Sequence, residues 1–230
     1  YYAMQYIPGV GLDMLIEGML IRRAQGEDLS FSPLSTLAGE LLQSSSKTTV
    51  RMDQETLTLS REEVFYEDDT LDQELVPDDR NDGPPSVTTA LGKHFYEESI
   101  QLIIQAARAL HYAHANGVLH RDIKPANLIV DEQGVLWVAD FGMAKSAESV
   151  TLTMEETITG TLRYMAPESF DGQGGKESDI YSLGVTLYEL LCQKPMFEDS
   201  TAGQLIRRIM TGEFTPLGLV NANIPPVLSE

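Results

Sequence analysis

Within eight positions, 120–127, the chain places a histidine, an arginine, an aspartate, a lysine and an asparagine in the order HRDIKPAN. Apolar runs lie on both sides, LHYAHANGVL before and LIV after. A solvated loop can gather such groups without purpose. A site that moves a proton beside a phosphate needs them together, because an acid, a cation and an amide oxygen each have a task there. Two more short stretches follow: Asp140-Phe141-Gly142, 18 residues after Asp122, and Met165-Ala166-Pro167-Glu168.

The elements that must position these groups are readable on either side. YYAMQYI (1–7) is rich in aromatic and β-favouring residues and predicts a short strand ended by Pro8-Gly9. LDMLIEGMLIRRA (12–24) carries apolar residues at helical spacing. From Tyr96 onward, Ile100, Ile103, Ile104, Ala107, Leu110 and His114 predict one face of an amphipathic helix of about 19 residues, ended by Asn116-Gly117. LIVDEQGVLWVAD (128–140) predicts two short strands around a Gln-Gly turn. SDIYSLGVTLYELLC (178–192) is apolar on nearly all faces, as in a helix buried at the centre of a fold, and TAGQLIRRIMTG (201–212) predicts a last amphipathic helix.

Between the first helix and the long one the composition changes. Residues 26–92 hold 15 acidic against 4 basic residues, so −11 of the net −19 resides there, together with SSSKTT and the breaker run PDDRNDGPP. Few apolar residues recur at any period, which predicts a long, largely disordered acidic insertion with at most a short helix at Ser35–Gln43. The expected organisation is therefore 1–25 as a strand and first helix, 26–92 as the insertion, and 93–230 as the main body. Overall, 42% of the 230 residues are apolar and 22% charged, ordinary for a globular protein. The acidic balance argues against nucleic acid and anionic membrane surfaces as partners of the whole surface. The one cysteine, Cys192, makes no internal disulfide and fits a reducing compartment. No run of 18 apolar residues is present, and no signal peptide is recognised.

Taken in their order and spacing, His120-Arg121-Asp122 with Lys124 and Asn127, then Asp140-Phe141-Gly142, then Ala166-Pro167-Glu168 resemble the catalytic set of the protein kinase family, closest to the bacterial, eukaryote-like serine/threonine kinases. Any one triplet is weak; all three in order, followed by the long apolar helix, are specific. The resemblance implies an α+β protein-kinase-like fold, here mainly the α-helical C-terminal lobe with short β-hairpins and without the N-terminal lobe. The implied activity is transfer of the ATP γ-phosphate to Ser/Thr hydroxyls of proteins, with Mg²⁺ and with ATP and protein substrates as partners.

In that setting Asp122 is the expected base for the accepting hydroxyl, and Lys124 reaches the transferring phosphate. Asn127 and Asp140 supply hard oxygens for Mg²⁺. His120 and Phe141 resemble residues that stack under the site and orient the metal-binding aspartate. Asp179 resembles the aspartate that accepts backbone hydrogen bonds from the catalytic loop; near a helix N-terminus it would also serve as a cap. Residues 140–168 correspond to an activation segment, with Thr157 the expected phosphorylated switch, Thr151 and Thr153 as alternatives, and Arg121 the cation that receives the phosphate. Thr161 resembles the threonine that bonds the catalytic aspartate and lysine. Gln5 and Ile7 resemble the hinge, and Ile129 and Ala139 would line the adenine pocket. Glu168 resembles a residue that pairs with an arginine on a late helix.

Some features depart from the pattern. Gly11 stands where an acid would contact ribose, and Gly9-Val10-Gly11 lacks a third glycine. Ala126 stands where some members carry an acid that reads basic substrates, which argues against a basic preference. His111 and His114 lack a further ligand set and read as packing histidines. No strand lysine precedes the loop, since only Lys47 and Lys93 come before Lys124. The expectation is a kinase cut short at both ends and inactive alone, cytoplasmic or on the cytoplasmic face of a membrane if an anchor lies beyond Glu230, with dimerisation serving autophosphorylation. The alternative is a pseudokinase or regulatory module that docks partners through the acidic insertion.

Overall fold

The computed structural model describes residues 7–27, 33–46, 92–141, 160–198 and 201–228. Leu12, Leu15, Ile16 and Met19 recur at helical spacing and form the buried face of the first helix, α1 (Leu12–Ala24). Asp13 in its first turn and Arg22 and Arg23 in its last complement the helix dipole. Of the strand expected at 1–7, residues 1–6 lie outside the described residues; Ile7–Gly9 belong to no strand, and pairing occurs at β1 (Val10–Gly11). The chain enters the sheet by a close approach. A Cβ on Gly9 would sit 2.4 Å from Ile129 Cγ2 and 2.9 Å from the Val130 carbonyl oxygen, so only glycine lets the incoming chain lie against the next strand.

The hairpin expected at 128–140 forms as β2 (Leu128–Val130) and β3 (Leu136–Val138). They pair antiparallel with Ile129 opposite Trp137, while β1 covers the other edge of β2 with Gly11 opposite Ile129. Asp131 holds the turn. Its Oδ1 accepts from the Gln133 and Val135 amides and its Oδ2 from Trp137 Nε1, all at 2.9 Å. Burial raises the Asp131 carboxyl, and the three hydrogen bonds outweigh it, so the group titrates below the usual range.

The segment 26–92 is not structureless throughout. The short helix expected at Ser35–Gln43 extends to α2 (Leu34–Ser46), and Leu34, Leu37 and Ala38 are buried in the main core. Its first amide, Leu34 N–H, donates to Glu98 Oε2 at 2.8 Å, and Glu40 accepts from Arg22 Nη2 at 2.6 Å. Leu34, Leu37, Ala38, Leu41 and Leu42 follow helical spacing inside an acidic window, and burying that stripe offsets the ordering cost. The rest of the insertion, 47–91, lies outside the described residues.

The long helix, α3 (Lys93–Ala115), has its buried face rotated from the expected one. Phe95, Tyr96, Ser99, Leu102, Ile103, Ala106, Leu110 and Ala113 point inward, whereas Ile100, Ile104, Ala107 and His114 are only partly covered. α4 (Lys176–Cys192) crosses α3 and buries Leu183, Tyr188, Leu190 and Leu191 in the same core, with Ile180 and Gly184 left outward. Cys192 lies in that core, and burial pushes its thiol up to about 11, which makes it the inert thiol expected. A smaller cluster of Tyr164, Val185, Phe197, Leu205 and Ile209 seats α5 (Ala202–Thr211) on α4, and α6 (Leu217–Val220) follows. No helix among the described residues is long and apolar enough to cross a membrane.

Candidate active site

HRDIKPAN leaves α3 and enters β2, so a helix and a sheet fix its two ends. Its middle is fixed from α4. Asp179, 1% exposed, accepts from the His120 amide at 2.9 Å and from the Arg121 amide at 2.7 Å. The same carboxylate lies 2.8 Å from His114 Nε2. Of the two roles open for Asp179, the structure has it holding the loop; it caps no helix. His114 is the packing histidine expected, whereas His111 is exposed.

Those two backbone bonds restrain Arg121 in the left-handed region, φ +67°, a conformation that a β-carbon disfavours. The Arg121 side chain is exposed. His120 is fully buried. Its Nδ1 accepts the Asp122 amide at 3.3 Å, so its Nε2 carries the proton and donates to the Ala139 carbonyl at 2.7 Å. The ring meets Phe141 edge-on, with centroids 4.7 Å apart. The loop is thereby tied to the Asp140-Phe141 stretch. Asp140 itself is exposed and also left-handed, φ +60°.

Lys124, Asn127 and Asp122 form one cluster. Lys124 Nζ donates to Asp122 Oδ2 at 2.9 Å, and Asn127 Nδ2 donates to the same oxygen at 3.1 Å and to the Asp122 carbonyl at 2.7 Å. Two donors on Oδ2 leave Oδ1 free of any partner among the described residues. Asn127 is 5% exposed, and its backbone carbonyl accepts the Ala139 amide at 2.9 Å, which locks β3 to the loop. With Nδ2 donating to Asp122, Asn127 Oδ1 remains as a hard acceptor, and the Asp140 carboxylate has no partner among the described residues. These donors suit Mg²⁺ on phosphates. No group of three or more His, Cys, Asp or Glu that could hold a metal gathers among the described residues.

Ile129 and Ala139 are half-buried beside this cluster, and Ile7 lies three residues before β1, outside the sheet. Gln5 and Thr157 lie outside the described residues. Thr161 borders the same cavity as Lys124, Pro125 and Ala126, and its side chain makes no hydrogen bond to Asp122 or Lys124. Glu168 Oε1 accepts from Ser178 Oγ at 2.6 Å, a hydroxyl partner where an arginine was expected.

Sequence reasoning passed over a second cluster behind the loop. The Tyr164 hydroxyl donates to Glu189 Oε2 at 2.6 Å, with Arg163 and Asp13 close enough to act on both electrostatically. Burial, then the Glu189 charge, raises the Tyr164 phenol far above its usual value. Arg163 Nε is the one buried side-chain N or O atom among the described residues that lacks a hydrogen bond. Burial also raises the Glu189 carboxyl above its usual range, against the Tyr164 hydrogen bond and the Arg163 charge. A carboxyl with a raised folded-state pKa contributes stability that is present below the unfolded value, near 4.5, and is lost as pH rises through the folded value. Glu189→Gln does not titrate. Wild type should therefore lose stability relative to this variant between pH 4 and pH 7, read as denaturant midpoints of both proteins; a constant gap would mean that Glu189 is not desolvated.

The family model described as the protein kinase domain matches residues 84–225. A probable serine/threonine-protein kinase of Clostridium perfringens is 38% identical over 137 residues, 59% of this chain and 20% of that protein. Serine/threonine-protein kinase PrkC of Bacillus subtilis is 34% identical over 138 residues, covering 60% and 21%. An Aurora kinase of Patiria pectinifera is 44% identical over 124 residues, covering 53% and 30%. The chain thus spans about a fifth to a third of the length of these relatives. With the Asp122 cluster, the Asp179 anchor and the small three-stranded sheet in place beside its helices, the chain belongs to the protein kinase family.

Proposed function

We propose that the full-length protein containing this chain is a serine/threonine protein kinase that transfers the ATP γ-phosphate to Ser/Thr hydroxyls of proteins. The observation that carries this reading is the Asp122 carboxylate, held on Oδ2 by Lys124 and Asn127 and open on Oδ1. An oxygen fixed in this way accepts a hydroxyl proton without first reorienting, and Lys124 keeps a positive charge at the point where the phosphate would meet that hydroxyl. Asn127 Oδ1 and the Asp140 carboxylate would hold Mg²⁺. Bound Mg²⁺-ATP supplies the phosphoryl group and neutralises its charge.

The remaining assignments follow the same reading. Gln5, Ile7, Ile129 and Ala139 face the adenine. Thr157 is the phosphorylated switch read by Arg121, modified between two copies of the protein, and Thr161 positions Lys124 once substrate is present. Glu168 supports the segment through Ser178. The chain from Tyr1 to Glu230 is inactive alone, and the full-length protein acts in the cytoplasm or at its membrane face.

The test is incubation of the full-length protein with γ-labelled ATP, Mg²⁺ and a mixture of Ser/Thr peptides. Label recovered as phosphoserine or phosphothreonine is the expected result. No transfer to any acceptor, with ATP still bound, would refute the reading and favour a regulatory binding module.

A further inference from the structure

A cavity of about 200 Å³ opens beside the catalytic loop, with Lys124, Pro125 and Ala126 on the loop side and Thr161 and Tyr164 on the other. The two sides come from different parts of the chain, so a third element must fix their spacing. Both are tied to one turn of α4. Asp179 holds the loop through the His120 and Arg121 amides. Three residues on, the buried Ser182 donates from Oγ to the Tyr164 carbonyl at 2.7 Å. Positions i and i+3 of a helix are fixed neighbours, so helix geometry sets the distance between the two ties.

The helix does not itself need this bond. The Ser178 carbonyl, one turn earlier in α4, lies 2.9 Å from the same Oγ and would satisfy the hydroxyl without Tyr164. Thr186, next on this face and fully buried, is satisfied in that way: its Oγ1 donates to the Ser182 carbonyl at 2.9 Å. A hydroxyl carries one proton and serves one acceptor at a time, and the shorter contact of Ser182 is the one that leaves the helix. Tyr164 is also gripped at its other end, since its phenol donates to Glu189 Oε2 at 2.6 Å, seven residues beyond Ser182 on α4. Glu168 is held separately by Ser178 Oγ at 2.6 Å. The Ser182 bond is therefore the one that fixes the backbone of this wall where it faces Lys124.

We propose that Ser182 is a positioning residue for the acceptor side of the site: its hydroxyl holds the Tyr164 backbone, and with it the wall that carries Thr161, in register with the loop that Asp179 holds. The inference rests on the kinase reading above, because a hydroxyl presented to Asp122 must lay its own chain along this cavity. Ser182 touches neither substrate nor nucleotide. It acts through Tyr164, so its loss bears on how the protein segment is received and leaves the Asp122 cluster as it is.

The test compares the full-length protein with Ser182→Ala, Ser182→Thr and Thr186→Val. One serine peptide serves for kcat, KM and Kd, and the KM for ATP and the denaturant midpoint are measured alongside. Ser182→Ala should raise the peptide KM and Kd about fivefold, the worth of one hydrogen bond, with kcat and the KM for ATP within about twofold of wild type. Ser182→Thr keeps the hydroxyl and should restore the peptide KM. Thr186→Val removes a hydroxyl of the same face that reaches nothing beyond α4, so it should lower the denaturant midpoint and leave the peptide KM unchanged. An unchanged peptide KM in Ser182→Ala, or an equal rise in Thr186→Val, overturns the proposal and leaves Ser182 as a core hydroxyl. A joint loss of kcat and ATP affinity in Ser182→Ala also overturns it, because the helix as a whole would then have shifted. Weaker peptide binding in Ser182→Ala with no phosphate transfer by any of the proteins keeps the role of Ser182 and sinks the kinase reading. Transfer with an unaltered peptide KM does the reverse.

Discussion

Replacing Asp122 with asparagine in the full-length protein is expected to lower kcat by about 10³-fold, within the range for a positioned general base. Asparagine matches aspartate in shape. Its amide oxygen can accept from Lys124 Nζ and Asn127 Nδ2, as Oδ2 does now at 2.9 and 3.1 Å. The other terminal atom then becomes an NH₂ group, which donates toward the incoming hydroxyl where an acceptor is required. The loop should keep its fold and the nucleotide its affinity, so the loss appears in kcat with KM for ATP nearly unchanged. Steady-state assays with a saturating peptide decide it. A variant that keeps more than a tenth of wild-type kcat would show that the proton leaves by another route.

The second large effect is expected at Asp179. Its carboxylate is buried and takes the His120 and Arg121 amides at 2.9 and 2.7 Å, with His114 Nε2 at 2.8 Å. Asp179→Ala leaves two backbone donors and a ring nitrogen without a partner away from water. Losing one side of such an arrangement costs about 3–5 kcal/mol. The left-handed Arg121 would relax once its amide is released, so activity should fall with stability. Denaturant unfolding of Asp179→Ala and Asp179→Asn measures this, and asparagine, which keeps one acceptor oxygen, should lose roughly half as much. A loss below about 1 kcal/mol for alanine would show that the loop is held from elsewhere.

The site was legible in the sequence to the extent that its residues are neighbours in the chain. His120, Asp122, Lys124 and Asn127 lie within one loop, and Asp140 and Phe141 follow at fixed spacing, so type and order exposed them. Asp13, Tyr164 and Glu189 were not legible, because three separate elements bring them together and no spacing links position 13 to 189. In the fold, α3 was found but its inward face was not. Ile100, Ile103, Ile104, Ala106 and Ala107 place apolar groups on adjacent faces, and the sequence period alone cannot choose between them. α4 settles the choice by packing on the face of α3 that carries the buried core residues. α2 was seen only as a short stretch, since the charge of the surrounding segment masked five apolar residues that share one side of a helix.

The anchoring of HRDIKPAN from α4 also sets an order of events during synthesis. Arg121 and Asp179 are 58 residues apart, so a ribosome makes the loop well before it makes the carboxylate that holds it. At ordinary elongation rates of roughly 5–20 residues per second, about 3–12 s pass between the two. Through that interval the His120 and Arg121 amides have only water as a partner, and nothing favours the left-handed turn. The nascent chain can therefore have helices and a hairpin while still lacking a place to accept a proton.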